Sequence, residues 1–244
     1  MNREIIWKGN DYTNSSSRGD HVPFVVVNHI SAGTMASMDS WFTSAGNKQS
    51  SAHYGVSKKG EIHQYVDIRR MAWANGIGAA DIAASKTPVI IDNTSINPNL
   101  YSISIEHEGL DGELTPEQFV ASVWLHMYIK QQIFMIWGKL IELNRYHVIG
   151  HFAVNPRGKP LCPGPKFPWE LLYTALGEGD EDNMPMKLEE WQWDMLYEVM
   201  GKAYNVDQLT WNWMQKVVNR TLTATELAFL NTVLDGRIDR KLEV

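Results

Sequence analysis

The chain has 244 residues, of which 44% are hydrophobic and 20% are charged, and its formal net charge is −6. These values are typical of a globular protein with one medium-sized domain and a small appendage, and they exclude a strongly basic nucleic-acid-binding protein. Membrane insertion would need roughly eighteen consecutive apolar residues, and no such run occurs. The first residues lack the apolar segment of a secretory signal, so we expect a protein made in the cytoplasm without a signal peptide. The single cysteine excludes an internal disulfide.

From the amino terminus, strand patterns alternate with helix patterns. Apolar runs and period-two alternation predict strands at residues 22–29, 52–56, 62–66, 89–91 and 101–107. The first of these is a continuous apolar run, which is typical of a buried central strand. Gly60 provides a turn for a hairpin between the second and the third. A short helix is predicted at 34–44.

A long helix is predicted to begin at Thr115, because threonine is a favourable N-cap and is followed by proline at N1 and glutamine at N3. Its apolar residues recur with helical spacing towards Leu143. A short strand at 147–150 follows, with His151 at its end, and a last helix is predicted at 167–176. This order of elements indicates an α/β fold with a central mixed β-sheet flanked by helices.

The acidic, glycine-containing segment 178–183 has the composition of a linker and divides the sequence into a domain at 1–177 and a module at 184–244. Together the linker and the module contain 7 basic and 13 acidic side chains, which supply the whole net charge. A capping box at Thr223 and Glu226 predicts one helix. Apolar spacings of three and four predict two more helices through Leu188, Trp191, Met195, Val199, Ala203, Leu209, Trp213 and Val217. We therefore expect a small C-terminal all-helical module.

Three residues of metal-binding type stand in related positions. His29 ends the first predicted strand, His151 ends the strand at 147–150, and Cys162 follows in a loop of proline and glycine. Two histidines and one thiolate leave the fourth tetrahedral position of zinc open, as catalytic zinc sites require. The alternative is two structural histidines and a cysteine that packs as a small hydrophobic residue. The proline and glycine residues around Cys162 favour the zinc site.

Several short motifs also occur in one order along the chain. They are Val-Asn-His-Ile-Ser-Ala-Gly at 27–33, Ser-Ala-His-Tyr-Gly-Val at 51–56, Gly-Glu-Ile-His-Gln-Tyr-Val at 60–66, Ala-Trp at 72–73, Ser-Ile-Glu at 104–106, Ile-Gly-His at 149–151 and Cys-Pro-Gly at 162–164. Through these motifs the sequence resembles the type 2 N-acetylmuramoyl-L-alanine amidase family, which includes phage endolysins, bacterial autolysins and animal peptidoglycan-recognition proteins. The resemblance covers roughly residues 20–175.

The resemblance implies an enzyme that cuts the amide bond between the lactyl group of muramic acid and the L-alanine of the stem peptide in bacterial peptidoglycan. It implies one Zn²⁺ per chain, with the ligands His29, His151 and Cys162. Glu106 matches the family's acidic residue on the strand that faces the metal, where it would accept a proton from water. Lys159 is our choice for stabilising the oxyanion, with Arg157 as its substitute.

The same comparison suggests residues that contact the substrate. His53, Trp73 and Asn75 match segments that line the cleft in the family, although Asn75 replaces a histidine. The phage-lysozyme branch carries a catalytic tyrosine where this chain has Ala52, and Tyr54 lies two positions further along the same strand face. This departure favours the branch that uses glutamate, with Tyr54 as the second candidate for the base.

Two other classes of function compete with a zinc hydrolase. Some proteins of this fold only bind peptidoglycan, but these typically lack the cysteine ligand, which is present here. A cysteine amidase would use Cys162 as its nucleophile, and such enzymes usually place the thiol at a helix N-terminus. The sequence Pro163-Gly164-Pro165 disfavours that placement.

The order of domains resembles a phage or prophage endolysin, which collects in the host cytoplasm and reaches the wall after a holin opens the membrane. A bacterial autolysin or a cytoplasmic muropeptide-recycling amidase is the alternative. The C-terminal module could bind the wall or form a homodimer. Its tryptophans form two pairs at spacing i, i+2: Trp191 with Trp193, and Trp211 with Trp213. One member of each pair could pack inside while the other faces out as a platform for sugar rings. The alternative is that all four build the core of the module or a dimer interface.

Overall fold

The computed structural model describes residues 3–177, 185–224, 226–231 and 234. The chain divides into two compact units between Leu176 and Gly177. The predicted linker at 178–183 lies outside the described residues. Within the described part of the chain, no helix is both long enough and apolar enough to cross a membrane.

The first unit is built on a six-stranded sheet with the strand order β1-β5-β4-β7-β3-β8. The strands are β1 (Ile5–Trp7), β3 (Val25–Ile30), β4 (Tyr54–Val56), β5 (Ile62–Gln64), β7 (Ser102–His107) and β8 (Val148–Gly150). The short strands β2 (Ser15–Ser17) and β6 (Arg70–Ala72) form a separate antiparallel pair. β3 runs parallel to β7 and β8, whereas β4 and β5 form the predicted antiparallel hairpin. The mixed sheet is therefore confirmed.

Helices cover both faces of the sheet. They are α1 (Met35–Phe42), α2 (Ala79–Ile82), α3 (Pro88–Ile91), α4 (Pro98–Tyr101), α5 (Pro116–Trp137), α6 (His151–Val154) and α7 (Trp169–Ala175). α5 packs on the face that presents Val26, Ile103 and Ile105, and the shorter α2, α3 and α6 pack on the face that presents Val25 and Val27. Apolar residues on both faces explain why the central strand reads as a continuous apolar run.

Two predicted elements differ from the structure. Residues 89–91 belong to α3 and are not a strand, because Thr87 and Pro88 provide the N-cap and N1 position of a helical turn. α5 ends at Trp137 and does not continue towards Leu143. Gly138 stops it by adopting the left-handed conformation, at φ 67°, which glycine reaches without steric cost.

The second unit contains α8 (Glu190–Asn205), α9 (Trp211–Val218) and a further helical segment at 226–231. The predicted capping box is present, since Thr223 and Glu226 exchange hydrogen bonds of 3.1 Å. The core of this unit comprises Trp193, Met200, Leu209, Met214, Val217, Leu222 and Leu230. The structure corrects part of the predicted pattern, because Trp191, Met195 and Val199 are exposed on α8. Two apolar stripes occur on this helix, and only the one that meets α9 is buried.

Candidate active site

Two histidines and the cysteine meet at the carboxyl-terminal edge of the sheet. His29 lies near the end of β3, and His151 is the first residue of α6, directly after β8. Because β3 and β8 are parallel neighbours, their carboxyl ends lie side by side, and the two imidazole centroids are 4.3 Å apart. One donor atom from each of His29, His151 and Cys162 falls within 4.8 Å of the other two. The sequence-predicted ligands therefore form one cluster.

Cys162 reaches this cluster on a loop that is held at several points. Its Sγ accepts a 3.4 Å hydrogen bond from the backbone N–H of Ile30, and its carbonyl oxygen accepts one of 2.9 Å from Phe152. Gly164 adopts a φ of 120°, and a Cβ there would lie 2.2 Å from the backbone of Asp111. Only glycine permits this close approach, which locks the cysteine loop against the segment after β7.

Glu106 faces the cluster from the adjacent strand. It is the register partner of His29, and its Oε1 lies 3.8 Å from Nδ1 of that histidine. Burial raises the pKa of Glu106 from 4.5 to about 7, and the charge of Lys159 opposes this shift. A carboxyl group with a pKa near neutrality can both accept and return a proton at physiological pH.

The cluster opens into a cleft of about 700 Å³. Lys159 lines the cleft, and its charge acts on Glu106 and on both histidines. Arg157 instead donates a 3.4 Å hydrogen bond to the carbonyl oxygen of Ala80. The geometry therefore places Lys159, and not its substitute Arg157, beside the cluster of His29, His151 and Cys162.

Of the three predicted substrate contacts, only Trp73 lines the cleft. His53 is buried, with Nε2 lying 2.7 Å from a guanidinium nitrogen of Arg18. Asn75 is also buried and donates a 2.9 Å hydrogen bond to Ser102. The interpretation of His53 and Asn75 as wall contacts is corrected, since a sugar or peptide in the cleft cannot reach a side chain that the fold covers.

Tyr54, the second candidate for the base, is buried in the core beneath the sheet. Burial raises the pKa of its hydroxyl well above the usual value. Tyr54 does not line the cleft, whereas Glu106 does. Among the residues considered from the sequence, Glu106 is therefore the one in position to exchange protons with a ligand.

Sequence reasoning missed the support behind His29. His107 points to the opposite face of β7, where Nδ1 lies 3.0 Å from the carbonyl oxygen of His29 and Nε2 lies 2.9 Å from Oγ of Ser122. Burial lowers the pKa of His107 to about 3, so the ring is neutral. A neutral ring has one N–H, which it donates to the carbonyl of His29, while Nε2 accepts from the Ser122 hydroxyl. Strand alternation correctly excluded His107 from the cleft, but it could not reveal this contact.

The cleft also has aromatic and apolar walls that the sequence did not identify. Trp41 on α1 lines it and donates a 2.9 Å hydrogen bond from its indole N–H to Ser50. Leu110 and Leu161 are highly exposed on the rim. None of these residues belongs to a motif, so only the folded arrangement could assign them to the cleft.

The donor set suits a zinc ion. Burial lowers the pKa of both histidines, that of His151 to about 4, so each imidazole is neutral and can donate a lone pair. Burial raises the pKa of the Cys162 thiol to about 11, so a nearby cation is needed to keep it as a thiolate. Oε2 of Glu106 is buried without a hydrogen-bond partner among the described residues. Unsatisfied polar atoms are expected where a ligand belongs.

Comparison with known families agrees with this fold. The family model described as N-acetylmuramoyl-L-alanine amidase matches residues 18–165. The chain therefore belongs to the type 2 N-acetylmuramoyl-L-alanine amidases, a family of peptidoglycan hydrolases. A comparison with curated proteins gave no match.

Of three solved structures that resemble this chain, one has a TM-score above 0.5 and two fall just below it. A selenomethionine derivative of AmpD is 22% identical, with a TM-score of 0.52, and the match covers 72% of this chain and 96% of AmpD. The amidase LysC of Clostridium intestinale URNW is 16% identical with a TM-score of 0.49, covering 72% of this chain and 99% of LysC. The Staphylococcus aureus hydrolase AmiA, in complex with its ligand, is 14% identical with a TM-score of 0.49, and the match covers 73% of this chain and 84% of AmiA. The likeness to AmpD confirms the mixed sheet flanked by helices.

Proposed function

We propose that this chain is a zinc-dependent N-acetylmuramoyl-L-alanine amidase that hydrolyses the amide bond between the lactyl group of muramic acid and L-alanine. The observation that supports this most directly is the convergence of His29, His151 and Cys162 beside Glu106 in one open cleft. Three protein ligands with an accessible fourth position are typical of catalytic zinc, whereas structural zinc has four protein ligands.

When bound, Zn²⁺ would polarise the amide carbonyl and make water a stronger nucleophile. Glu106 accepts the proton of the attacking water and returns it to the departing amine nitrogen of L-alanine, so that the C–N bond breaks without releasing a free amide anion. Burial raises the pKa of Glu106 to about 7 in the metal-free site, and a bound cation would favour the ionised, proton-accepting form. The buried side of the Glu106 carboxylate also limits competing exchange with bulk water.

Lys159 supports the same step from the exposed side of the cleft. Its ammonium charge lies close enough to act on Glu106, His29 and His151. In this position it stabilises the negative charge that develops on the amide oxygen. Trp73 provides a fixed wall, because its indole N–H is held by a 2.9 Å hydrogen bond to Ser16.

The test of this function is digestion of purified peptidoglycan, followed by mass spectrometry of the new ends. We expect free L-alanine amino termini and intact lactyl groups, and no new reducing sugars. EDTA should abolish the reaction and added Zn²⁺ should restore it. Activity that survives complete removal of metal would indicate a thiol enzyme using Cys162, and the absence of any new ends would indicate a binding protein.

We further propose that the enzyme is a phage or prophage endolysin, which would act on the wall after release from the host cytoplasm. The support is the second compact unit from Gly177 onwards, which lies beyond the residues that the amidase family matches. An enzyme that recycles soluble fragments does not need an additional module. The alternatives to an endolysin are an autolysin or a recycling amidase. The alternative role of the module is to form a homodimer. Expression in a host with and without a co-expressed holin distinguishes an endolysin, which should cause lysis only with the holin.

A further inference from the structure

The C-terminal unit contains a groove that the proposed amidase reaction does not use. It has a volume of about 340 Å³ and lies between the second half of α8 and the start of α9. The lining residues important here are Glu198, Gly201, Lys202, Tyr204, Asn205 and Trp211. We refer to it as the α8–α9 groove.

Gly201 forms part of this groove at a position where glycine is unfavourable. It lies inside the 16-residue helix α8, where glycine costs about 1 kcal/mol relative to alanine. A Cβ at this position would contact only the terminal methyl of Met214, at an ordinary 3.8 Å. Neither close packing nor a left-handed backbone therefore requires glycine here. What the missing side chain provides is open space in the groove.

Two aromatic rings form one wall of the groove. Tyr204 and Trp211 have centroids 5.6 Å apart and ring planes inclined at 56°. Both remain accessible, at 37% and 47% of their full exposure. Two inclined, accessible ring faces form a platform for a ligand that has an apolar face of its own.

Three further lining residues are polar, and their charges balance. Glu198 and Lys202 have opposite charges, and Asn205 can both donate and accept hydrogen bonds. The groove therefore has no local charge excess to attract an ion. The linker and module together carry 13 acidic and 7 basic side chains, a surplus that repels polyanions at long range.

Aromatic platforms bordered by a few polar groups are suited to pyranose rings, which have apolar C–H faces and hydroxyl groups around their edge. The volume is near the lower end of the usual range for ligand pockets, so it suits a short segment of a chain. We infer that the α8–α9 groove binds an uncharged stretch of a glycan strand. This binding site is separate from the cleft and goes beyond the proposed amidase activity.

The test measures binding of the full-length chain to soluble strands of β-1,4-linked N-acetylglucosamine, the uncharged sugar of the glycan, because removing stem peptides from muramic acid would expose a carboxylate on every second sugar. These strands lack the amide bond, so catalysis cannot affect the measurement. We expect Trp211→Ala and Gly201→Leu to weaken binding at least about tenfold, a loss of about 1.4 kcal/mol. Trp191→Ala removes a tryptophan that is also exposed on α8 but lies outside the groove, and it should bind like the wild type.

Gly201→Ala is the matched control for Gly201→Leu, because its methyl group fits and it should keep binding while raising the thermal stability of the module. Circular dichroism of each variant identifies any that does not fold, and Trp211→Ala provides an independent result if Gly201→Leu fails. Wild-type binding by both groove variants would overturn the proposal. So would tighter binding of teichoic acid than of glycan strands, or a change from dimer to monomer in Trp211→Ala without loss of glycan binding.

The groove and the catalytic site are distinguished by a second measurement on the same variants. Trp211→Ala should cleave soluble muropeptides at the same rate as the wild type, because Trp211 lies outside the cleft. If glycan binding depends on Trp211 but no muropeptide is cut by the wild type, the groove proposal stands and the amidase proposal fails.

Discussion

His29 and Glu106 are register partners on the parallel strands β3 and β7, with Nδ1 of the histidine 3.8 Å from Oε1 of the glutamate. The pairing places a proposed metal ligand and a proposed proton acceptor side by side without any loop between them. A constellation built on paired strands is held more rigidly than one built on loops. The distance between the proposed ligand and the proposed base is thus set by the sheet.

Glu106→Gln should retain zinc and the fold but lose roughly 10²- to 10⁴-fold in turnover, because the amide cannot accept a proton from water. The measurement is the initial rate of muropeptide cleavage, with zinc content determined on the same sample. Turnover close to the wild type would assign the proton acceptor to a different residue.

Cys162→Ser should lose most of its zinc, because a hydroxyl is a weaker and usually protonated donor at a position suited to a soft thiolate. Metal analysis of the purified variant provides the readout. Ser31→Ala, in the same cleft but outside the ligand cluster, is the control and should retain one zinc per chain. Full occupancy in Cys162→Ser would remove the cysteine from the ligand set.

His107→Phe should destabilise the first unit by about 1–3 kcal/mol, because it leaves the carbonyl of His29 and the hydroxyl of Ser122 without their partner. Urea denaturation measures this loss. His21→Phe changes an exposed histidine and should have little effect. If His107 also positions His29, His107→Phe should release zinc to a chelator faster than His21→Phe. A role of His107 in packing alone would leave the rate of zinc release unchanged.

Acid should destabilise the metal-free protein. The pKa of His107 is lowered to about 3 and that of His126 to about 4, both by burial, from an ordinary value of 6.5. Between the ordinary pKa of 6.5 and these lowered values, the two imidazoles bind protons in the unfolded chain but not in the folded chain. The free energy of unfolding should therefore fall as the pH drops from 6.5 towards 4, by up to about 1.4 kcal/mol per pH unit for each histidine.

Glu106 acts in the opposite direction in the same experiment. Its pKa is raised to about 7, so the folded state holds a proton that the unfolded state releases between pH 7 and 4.5. This contribution stabilises the folded state as the pH falls through that window. Glu106→Gln removes it, so the metal-free variant should lose stability more steeply with acid than the wild type. Urea denaturation at several pH values gives the slope of the free energy of unfolding against pH for the wild type and for the variant. Equal slopes would contradict the raised pKa of Glu106.

A chain that ends at Gly177 should fold, bind zinc and cut soluble muropeptides at the wild-type rate, since it contains the whole first unit. It should lose lysis of intact walls if the module brings the enzyme to its substrate. Sedimentation with whole walls measures the binding. Unchanged wall binding together with a change from dimer to monomer would assign the module to assembly instead.

The sequence was most informative where one local rule decides the outcome. Alternation along residues 101–107 correctly separated Glu106 from His107, and the motif order brought His29, His151 and Cys162 together. Residues 89–91 were misassigned, because an apolar run of three residues suits a strand or a helical turn equally well. The burial of His53 depends on Arg18, which is distant in sequence, so no local pattern could predict it.

Contacts between residues distant in sequence also decide the outcome in the C-terminal module. Trp191, Met195 and Val199 have the spacing of a buried stripe, and so do Trp193, Leu196 and Met200 on the same helix. Only the position of α9 decides which stripe is buried. Of the two alternatives for the tryptophan pairs, the structure has one member of each pair facing outward, and the exposed members are Trp191 and Trp211.

Because Glu106 faces the cleft only when β3 and β7 pair in the native register, the fraction of active molecules reports the fraction that folded correctly. A slip of one residue would turn every side chain of β7 to the other face, burying the Glu106 carboxyl against α5 and presenting His107 to the cleft. Such a molecule could have nearly the same content of strand and helix, and spectroscopy of secondary structure would not distinguish it. Active-site titration of a refolded sample would count only the molecules whose strands paired in the native register.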